Sequence, residues 1–354
     1  MLFPDFLFQF FFTAINTLHN TSYMTALAQP LIKILSDGRF HSGTELGEML
    51  QVSRAAVWKT VKKLEELGLD IHSVRGRGYK LERPLSLLDS ECITNAFPNR
   101  EKSLIHELTI LDSIDSTNAY AMRELQNNSD IPDKGKYAVY LAEQQTSGKG
   151  RRGRPWFSPY GENVYLTLAR QFDTGEVGTD GLSLVIGMGV IRALQDLGIE
   201  GLGIKWPNDI LHENKKLSGI LIEISGDVSG LCQLLIGVGI NTFCRDEDMR
   251  EVGQPWTDLF RLSGQRFDRN RVVAATVAQV ISVLEDFEKY GLGKFLQEWE
   301  SYDVMLGEKV ELHFSGSSKV GIARGISENG ALLLETDSGV HPYMGGEVSL
   351  RRAA

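Results

Sequence analysis

A glycine-rich basic segment carries the residues best suited to chemistry in this chain. The run Gly148-Lys149-Gly150-Arg151-Arg152-Gly153-Arg154 follows a predicted strand and a polar turn. Its glycines let backbone N–H groups approach an anion, and its arginines offer forked donors to phosphate oxygens. The run contains a G-x-G-x-x-G pattern, but Pro155 to Pro159 cannot begin the helix that a Rossmann site requires. The pattern favours a loop that holds a phosphoanhydride, and a solvated surface turn is the alternative.

A second polar cluster, Lys205-Trp206-Pro207-Asn208-Asp209, follows a short predicted strand. It combines a cation, an aromatic ring, an amide and a carboxylate, a set that suits a nucleotide and a magnesium ion. Taken singly, Trp206 and Pro207 are more often a core residue and a turn residue. The chain has no His-Glu-x-x-His pattern and no Walker-type loop, so neither zinc hydrolysis nor P-loop chemistry is indicated.

Both clusters need a scaffold, and the surrounding pattern of strands and a long helix predicts an α+β domain. Apolar runs predict strands over residues 138–142, 164–169 and 234–240, and the period of the apolar residues predicts a helix over 182–197. Toward the end of the chain, short apolar runs predict a small SH3-like barrel. Its strands are expected over residues 309–314, 320–326, 331–335 and 345–350.

The front of the chain is basic, whereas the whole chain has a net charge of −9. Ser42 and Glu45 match a capping box, which predicts the start of a helix. After a short turn, Ser53 can cap a longer helix that ends before Gly68. Two helices joined by so short a turn predict a helix-turn-helix at about Gly43 to Lys62. A basic, glycine-turned hairpin after it completes the pattern of a winged helix-turn-helix.

Cations on this motif favour DNA binding, since they match the electrostatic footprint of a major-groove reader. The alternative is that the charges only solvate a three-helix module. The candidate DNA contacts are Ser53, Arg54, Lys59, Lys62, Arg75 and Arg77.

The length of 354 residues fits two or three domains, and a 42% hydrophobic fraction is typical of globular proteins. Residues 2–18 are apolar but lack the preceding cations of a signal peptide and are interrupted by polar residues. We expect residues 1–29 to be an extension, either disordered or an artefact of a true start at Met24, with an interfacial anchor as the alternative. Three scattered cysteines favour buried thiols in the cytoplasm, without a disulfide or a metal cluster.

Together these segments resemble the biotin protein ligase family, in the bifunctional form that also represses the biotin operon. The match extends from about Pro30 to Arg351. It rests on Asp115 to Asn118, Gly148 to Arg154, Lys205 to Asp209, Lys216 to Gly219 and Gly237 to Asn241, which fall in the family's order. The resemblance implies a winged helix-turn-helix at 30–83, a class II synthetase-like α+β catalytic domain at 84–303, and an SH3-like domain at 304–354.

The resemblance also implies a two-step reaction with ATP and Mg²⁺. The biotin carboxylate attacks the α-phosphate of ATP, and the biotinyl-adenylate then acylates a lysine of the biotin carboxyl carrier protein of acetyl-CoA carboxylase. Carboxylate and phosphate are both anions, so the site must supply cations. The implied catalytic residues are Lys216, Arg151, Arg154 and Asp209, with Asp209 also placed at the metal.

Family resemblance further assigns the ligand contacts. The implied biotin contacts are Ser116, Thr117, Asn118, Gln144, Gly148, Lys149, Gly150, Arg151, Lys216 and Gly219. The implied ATP and adenylate contacts are Arg151, Arg154, Lys205, Asn208, Asn241 and Trp256. Lys149 departs from the arginine that is common in the family, which keeps the charge but loses the planar fork. Arg351 is expected either to reach the active site or to be purely structural.

A repressor of this family implies operator DNA as a partner and a homodimer when biotinyl-adenylate is bound. No membrane association is expected. Two other functions remain open from the sequence: a lipoate-type ligase, which shares the adenylation logic, and a repressor that senses biotin without catalysing ligation.

Overall fold

The computed structural model describes residues 26–127, 135–173, 180–226, 231–250, 252–314, 317–345 and 349–353. Most of the extension expected over residues 1–29, and residues 346–348 of the last predicted strand, lie outside the described residues. Within them, no helix is long and apolar enough to cross a bilayer.

The N-terminal domain is a winged helix-turn-helix, as the sequence predicts. Ser42 and Glu45 form the capping box, and the Ser53 hydroxyl accepts from the N–H of Ala56. Both caps satisfy N–H groups that a helix start leaves unpaired, so the second helix begins at the expected residue. The elements are α1 (Ala28–Leu35), α2 (Gly43–Met49), α3 (Arg54–Glu66), β1 (Ile71–Val74) and β2 (Gly78–Leu81), and the two strands pair antiparallel as the wing.

The central domain is built on a seven-stranded sheet in the order β3-β4-β5-β9-β8-β7-β6. Strands β3 and β4 are parallel, and the other neighbouring pairs are antiparallel. The strands are β3 (Ile105–Ile114), β4 (Tyr137–Gln145), β5 (Val164–Asp173), β6 (Leu202–Lys205), β7 (Asp209–His212), β8 (Lys215–Gly226) and β9 (Leu231–Ile240). The helices are α4 (Ser90–Ala96), α5 (Asn99–Leu104), α6 (Thr117–Asn127), α7 (Leu182–Asp196), α8 (Leu259–Ser263), α9 (Arg269–Tyr290) and α10 (Leu296–Tyr302).

Alternation along β4 explains how this sheet is covered on both faces. Val139 and Leu141 belong to the large core that includes residues of α7 and α9, whereas Ala138 and Tyr140 pack with residues of α6. Successive side chains of a strand point to opposite faces, so a strand covered on both sides is apolar at every position. The continuous apolar run of β4 is therefore a consequence of its central place in the fold.

The C-terminal domain is an antiparallel sheet in the order β13-β12-β11-β10-β14. Its strands are β10 (Lys309–His313), β11 (Ser318–Ile326), β12 (Leu332–Thr336), β13 (Gly339–Tyr343) and β14 (Ser349–Arg352). In the described part of the chain, β14 pairs only with β10 and no ladder joins it to β13. Strands lie in the first three predicted ranges, and β14 begins near the end of the fourth. Over the described residues, the sheet is open rather than a closed barrel.

The linker that leaves the N-terminal domain is fixed to the first turn of α9. Arg269 is 1% exposed, forms an ion pair with Glu143 and donates to the carbonyl of Ser86 at 2.7 Å. The side-chain oxygen of Asn270 accepts from the N–H of Asp89 at 2.8 Å. A buried ion pair with these additional hydrogen bonds holds the linker on the central domain.

The N-terminal domain also packs directly on the central domain. Tyr160 of the central domain is buried in the N-terminal hydrophobic core, and Gln29 donates to Asp112 at 2.8 Å. Arg245, which lies after β9, forms an ion pair with Asp70 of the N-terminal domain. The N-terminal domain therefore lies beside the segment that follows β9.

The cysteines differ in part from the expectation of buried thiols. Cys232 and Cys244 are buried, but Cys92 is exposed. Cys92 lies in the short helix α4, whose only buried residue is Ile93, and so faces solvent.

Candidate functional site

A cavity of about 1330 Å³ opens between the central sheet and the N-terminal domain. Its lining comes from β8 and β9, the β6–β7 hairpin, the loop after β4 and the start of α6. Fourteen of the predicted ligand contacts line it: Ser116, Thr117, Asn118, Gln144, Gly148, Lys149, Gly150, Arg151, Arg154, Lys205, Asn208, Asp209, Lys216 and Gly219. Arg351 of β14 lines it as well, so the C-terminal domain contributes to the same site.

The start of α6 supplies a buried polar group of side chains. Thr117 donates through its backbone N–H and its hydroxyl to the side-chain oxygen of Gln145, at 2.9 and 3.2 Å. Asn118 donates to Glu223 at 2.8 Å, and its side-chain oxygen accepts from Thr167 at 2.6 Å. Because these groups are buried and already oriented, they can read the polar atoms of a small ligand with little loss of entropy.

Gln145 is a site residue that the sequence reasoning missed, since it assigned Gln144 instead. Gln144 accepts from Ser113 on the neighbouring strand β3, whereas Gln145 contacts Thr117 and donates to Ser158 at 3.1 Å. Adjacent side chains at the end of β4 point in different directions. The side chain that orients the start of α6 is therefore that of Gln145.

The basic glycine loop folds back on itself. The N–H of Gly150 donates to the carbonyl of Arg154 at 2.7 Å, and the N–H of Trp156 donates to the carbonyl of Gly148 at 2.8 Å. A Cβ on Gly148 would lie 2.6 Å from the Trp156 carbonyl oxygen, so this close approach requires glycine. Arg152, at the tip, has a left-handed φ of 59°. The loop is thus a closed turn that presents its arginines at the cavity.

Arg151 connects three separate segments. Its guanidinium donates to the side-chain oxygen of Asn208 at 3.3 Å and to the carbonyl of Gly345 in the C-terminal domain. Burial lowers the pKa of this guanidinium, although Asp209 opposes the shift. An arginine remains a cation at neutral pH despite such a shift. The cavity therefore holds a fixed, partly desolvated positive charge, which interacts strongly with an anion.

The β6–β7 hairpin and β8 bring further charges together. Lys205 and Asp209 are opposite each other at the ends of the hairpin, and the Nζ of Lys216 lies 2.7 Å from the Oδ1 of Asp209. Both side chains of that ion pair are 16% exposed. The Trp206–Pro207 peptide bond between the two hairpin strands is cis, and the Trp206 indole donates to the carbonyl of Gly330. The turn is thereby packed against the C-terminal domain.

Trp156 is a second site residue that the sequence reasoning did not assign. A Cβ on Gly219 or Gly239 would lie 3.0 or 2.5 Å from its ring, so the indole packs directly on the backbone of β8 and β9. The Nζ of Lys216 lies 5.2 Å from the ring centroid. The indole N–H of Trp156 is buried with no hydrogen-bond partner in the described residues. The Pro-Trp-Phe sequence after the basic loop is the signal that could have found this wall of the cavity.

Asn241 and Trp256 are not brought to the cavity with the other predicted residues. Asn241 is buried and donates to the carbonyl of Thr257 at 3.0 Å. The ring of Trp256 packs against Arg261 at 4.4 Å and lines a separate, smaller cavity. The backbone of this segment is hydrogen-bonded to that of Lys216, which holds Trp256 outside the main cavity. This arrangement does not support the direct adenine contacts that resemblance implies.

On the DNA-binding domain, the six predicted contact residues lie on α3 and the wing, and all are exposed. Three of them already have partners within the chain. The Ser53 hydroxyl caps α3, Lys62 pairs with Glu65 at 2.6 Å, and Arg77 packs over the Phe40 ring at 4.0 Å. Arg54 and Lys59 at the start of α3, and Arg75 at the wing tip, complete a basic surface.

Comparisons with known proteins show which family the chain belongs to. Three family models match: an HTH domain at residues 28–80, the biotin/lipoate A/B protein ligase family at 110–241, and the biotin protein ligase C terminal domain at 305–351. The bifunctional ligase/repressor BirA of Escherichia coli (strain K12) is 39% identical, covering 91% of this chain and 97% of the relative. The chain belongs to the biotin protein ligase family.

A second relative and a solved structure support the same membership. The bifunctional ligase/repressor BirA of Bacillus subtilis (strain 168) is 30% identical over 92% of this chain and 99% of the relative. A solved biotin protein ligase from Aquifex aeolicus, in complex with biotin and ATP, aligns with a TM-score of 0.59 and 30% identity. It covers 70% of this chain and 100% of its own. The chain is thus similar to biotin protein ligases in both sequence and fold.

The magnesium ion that the family resemblance implies has a limited set of protein ligands here. In the described ranges, no group of three or more His, Cys, Asp or Glu side chains could hold a metal ion. Asp209 is the one carboxylate among the predicted site residues at the cavity, and it is already paired with Lys216. Mg²⁺ often binds through one or two carboxylates together with substrate phosphates and waters. The donor set fits an ion that is held mainly by a nucleotide, and not a permanent metal site.

Proposed function

We propose that this chain is an ATP-dependent biotin protein ligase that is also a biotin-responsive repressor of biotin synthesis genes. Its acceptor is a lysine of the biotin carboxyl carrier protein of acetyl-CoA carboxylase. The observation that carries the catalytic half is the convergence of Arg151, Lys205 and Lys216 on one cavity that also contains the oriented polar group of Ser116 to Asn118. Three cations beside a small-molecule pocket suit a reaction between two anions.

In the first step, a biotin carboxylate oxygen attacks the α-phosphorus of ATP, and the bond to pyrophosphate breaks. Lys216 holds the carboxylate, and Arg151 and Arg154 offset the charge that develops on phosphorus. Lys205 and Asn208 orient the nucleotide, and Asp209 would help to hold an Mg²⁺ ion that would supply further positive charge when bound with the nucleotide. In the second step, an acceptor lysine attacks the acyl carbon and AMP leaves. The Gly148 to Arg154 loop excludes water from the mixed anhydride between the two steps.

The biotin ring system is placed on the surface formed by Trp156, Gly219 and Gly239, with Ser116, Thr117, Asn118 and Gln145 at its polar atoms. An apolar wall with a few convergent polar groups is typical of small-molecule sites. Gln144, Lys149 and Gly150 line the rim. Asn241 and Trp256 reach adenine only if the segment that follows β9 moves.

We expect Gly239→Ala to weaken biotin binding by about 10²-fold or more, because its Cβ would lie 2.5 Å from the Trp156 ring and force the ring into the cavity. Isothermal titration calorimetry with biotin measures the effect. Gly253→Ala is the matched control, since Gly253 also lines the cavity but a Cβ there meets nothing within 4 Å. Equal affinities for the two variants would contradict the placement of biotin on Trp156.

We expect ATP binding to weaken as the pH rises, and to do so at a lower pH than it would with a lysine of ordinary pKa. Burial lowers the pKa of Lys205, as do Lys216 and Arg154 nearby, while Asp209 opposes the shift. A lysine with a lowered pKa loses its positive charge as pH rises through that lower value. The KM for ATP should therefore increase on the alkaline side, and Lys205→Arg should remove the increase because arginine stays charged. A KM profile that is unchanged by Lys205→Arg would show that Lys205 does not contact the nucleotide.

The repressor half rests on the basic surface of α3 and the wing. The biotinyl-adenylate acts as corepressor, and a homodimer places two recognition helices at two half-sites of an operator. Binding of the purified protein to DNA upstream of biotin synthesis genes should tighten when biotin and ATP are added together. If operator affinity is the same with and without them, the coupling is absent even if both activities exist.

The domain boundaries follow from these roles. We propose a DNA-binding domain at 30–83, a class II synthetase-like catalytic domain at 84–303 and an SH3-like domain at 304–354, with the protein working in the cytoplasm. The fixed linker that begins after Arg83 supports the first boundary. The antiparallel strand order of the last domain is compatible with an opened SH3-like barrel.

A catalytic test separates adenylation from transfer. With biotin, ATP and Mg²⁺ but no acceptor, the protein should release one pyrophosphate per active site in a burst and retain biotinyl-adenylate. Lipoate in place of biotin should give no burst, because the polar group of Ser116 to Asn118 and Gln145 is assigned to biotin. A burst with lipoate alone would move the proposal to a lipoate-type ligase.

A further inference from the structure

The recognition helix α3 has a large aromatic side chain on its outer face. Trp58 is 55% exposed and lies in the middle of this helix. No hydrogen bond, ring stacking or cation–π contact is recorded for it within the part of the chain that the structure describes. A tryptophan that leaves this much apolar surface in water costs solvation free energy that burial would recover.

The spacing of residues on α3 shows which surface Trp58 belongs to. The buried residues Val57, Thr60, Val61 and Leu64 follow the i, i+3, i+4, i+7 pattern of a core-facing stripe. The exposed residues Ala55, Trp58, Lys59 and Lys62 repeat the same spacing two residues earlier and form a second stripe. Trp58 is therefore in line with two cations and next to a small residue, on the face that solvent reaches.

That stripe matches what an α-helix presents to a DNA major groove. Ala55 lets the helix backbone come close to the base edges, and the lysines lie where phosphates flank the groove. Arg75 at the tip of the wing adds positive charge on the same domain. The charge of this face favours a nucleic acid over an apolar protein partner, so the occupant that would cover Trp58 is duplex DNA.

We propose that Trp58 is a specificity-determining residue that contacts the C5-methyl groups of thymines in the operator. In the major groove, the thymine methyl is the apolar group on the base edges, and an apolar side chain recognises it by contact. The indole covers a methyl group, while Lys59 and Lys62 bind the backbone and carry no sequence information. The proposal rests on the DNA-binding half of the proposed function and adds a base preference to it.

The test replaces single thymines with deoxyuridine, which removes only the methyl group. A duplex is first selected by the wild-type protein, with biotin and ATP, from a random-sequence library. Each thymine of that duplex is then replaced in turn, and affinity is measured for the wild type and for Trp58→Ala. The expected result is a loss of about fourfold per contacted methyl for the wild type, corresponding to about 0.8 kcal/mol of methyl burial, and none for Trp58→Ala.

Trp58→Ala should also bind the unmodified selected duplex at least about tenfold more weakly than wild type, with unchanged affinity for random duplex DNA. Biotin ligation by the variant should be normal, which shows that it is folded. Uridine effects that are equal in both proteins, or no loss of operator affinity in Trp58→Ala, would overturn the assignment. If the wild type selects no duplex at all, the proposed DNA-binding function itself fails.

Discussion

Replacing Lys216 with methionine should lower the rate of biotinyl-adenylate formation by about 10²–10³-fold, the loss typical of removing one charged group that stabilises a transition state. Lys216 is the cation paired with Asp209 at 2.7 Å inside the cavity. Without it, the Asp209 carboxylate would be unpaired and would repel the carboxylate of biotin. Single-turnover pyrophosphate release measures the rate.

Lys215→Met is the matched control for this prediction. Lys215 is the preceding residue on β8 and is exposed, so the same substitution there should leave the rate unchanged within about twofold. The double variant Lys216→Met with Asp209→Asn should recover part of the loss, because the repelling carboxylate is also removed. A double variant slower than Lys216→Met would show that the proposed role of Asp209 at the nucleotide outweighs its repulsion of biotin. Equal rates for Lys215→Met and Lys216→Met would refute the role of Lys216.

Replacing Arg269 with methionine should destabilise the protein by about 3–5 kcal/mol, the cost of leaving one member of a buried ion pair without its partner. Glu143 would lose its cation, and the carbonyl of Ser86 in the linker would lose a donor. The melting temperature should fall by roughly 10 °C. Proteolysis within residues 83–89 should accelerate, because the linker is released from α9.

Arg271→Met provides the comparison, since Arg271 lies two residues further along α9 and is exposed. Its melting temperature should stay within about 2 °C of wild type. If Arg269→Met and Arg271→Met melt together, the buried pair does not stabilise the junction. A normal melting temperature with rapid linker cleavage would confine the role of Arg269 to the linker.

Local signals in the sequence were sufficient for the helix starts and for the basic loop, whereas most other cavity residues were assigned through resemblance to the family. The Ser42 and Glu45 pair predicted a capping box because that motif is completed within four residues of chain. The glycine and arginine types of the basic loop likewise predicted a phosphate-binding segment without knowledge of the fold. Features of this kind depend on neighbours in sequence, so they can be read before the chain is folded.

Features that depend on distant parts of the chain could not be predicted in the same way. Choosing Gln145 over Gln144 requires the register between β3 and β4, and the ion pair of Arg269 with Glu143 joins residues 126 positions apart. Strand β13 was not predicted because Pro342 lies within it and its side chains are largely exposed. Whether the C-terminal strands close into a barrel likewise depends on a pairing between β13 and β14 that no local pattern specifies.

The proposed ligase activity is tested by incorporation of radiolabelled biotin into a purified carrier domain, with ATP and Mg²⁺, by the wild type and by Arg151→Ala. Labelling by the wild type should require ATP and should fall about 10²-fold or more in Arg151→Ala, because Arg151 offsets charge at the reacting phosphate. Absence of labelling by a folded wild-type protein that still binds biotin tightly would contradict the account. It would identify the chain as a biotin-sensing repressor without ligase activity.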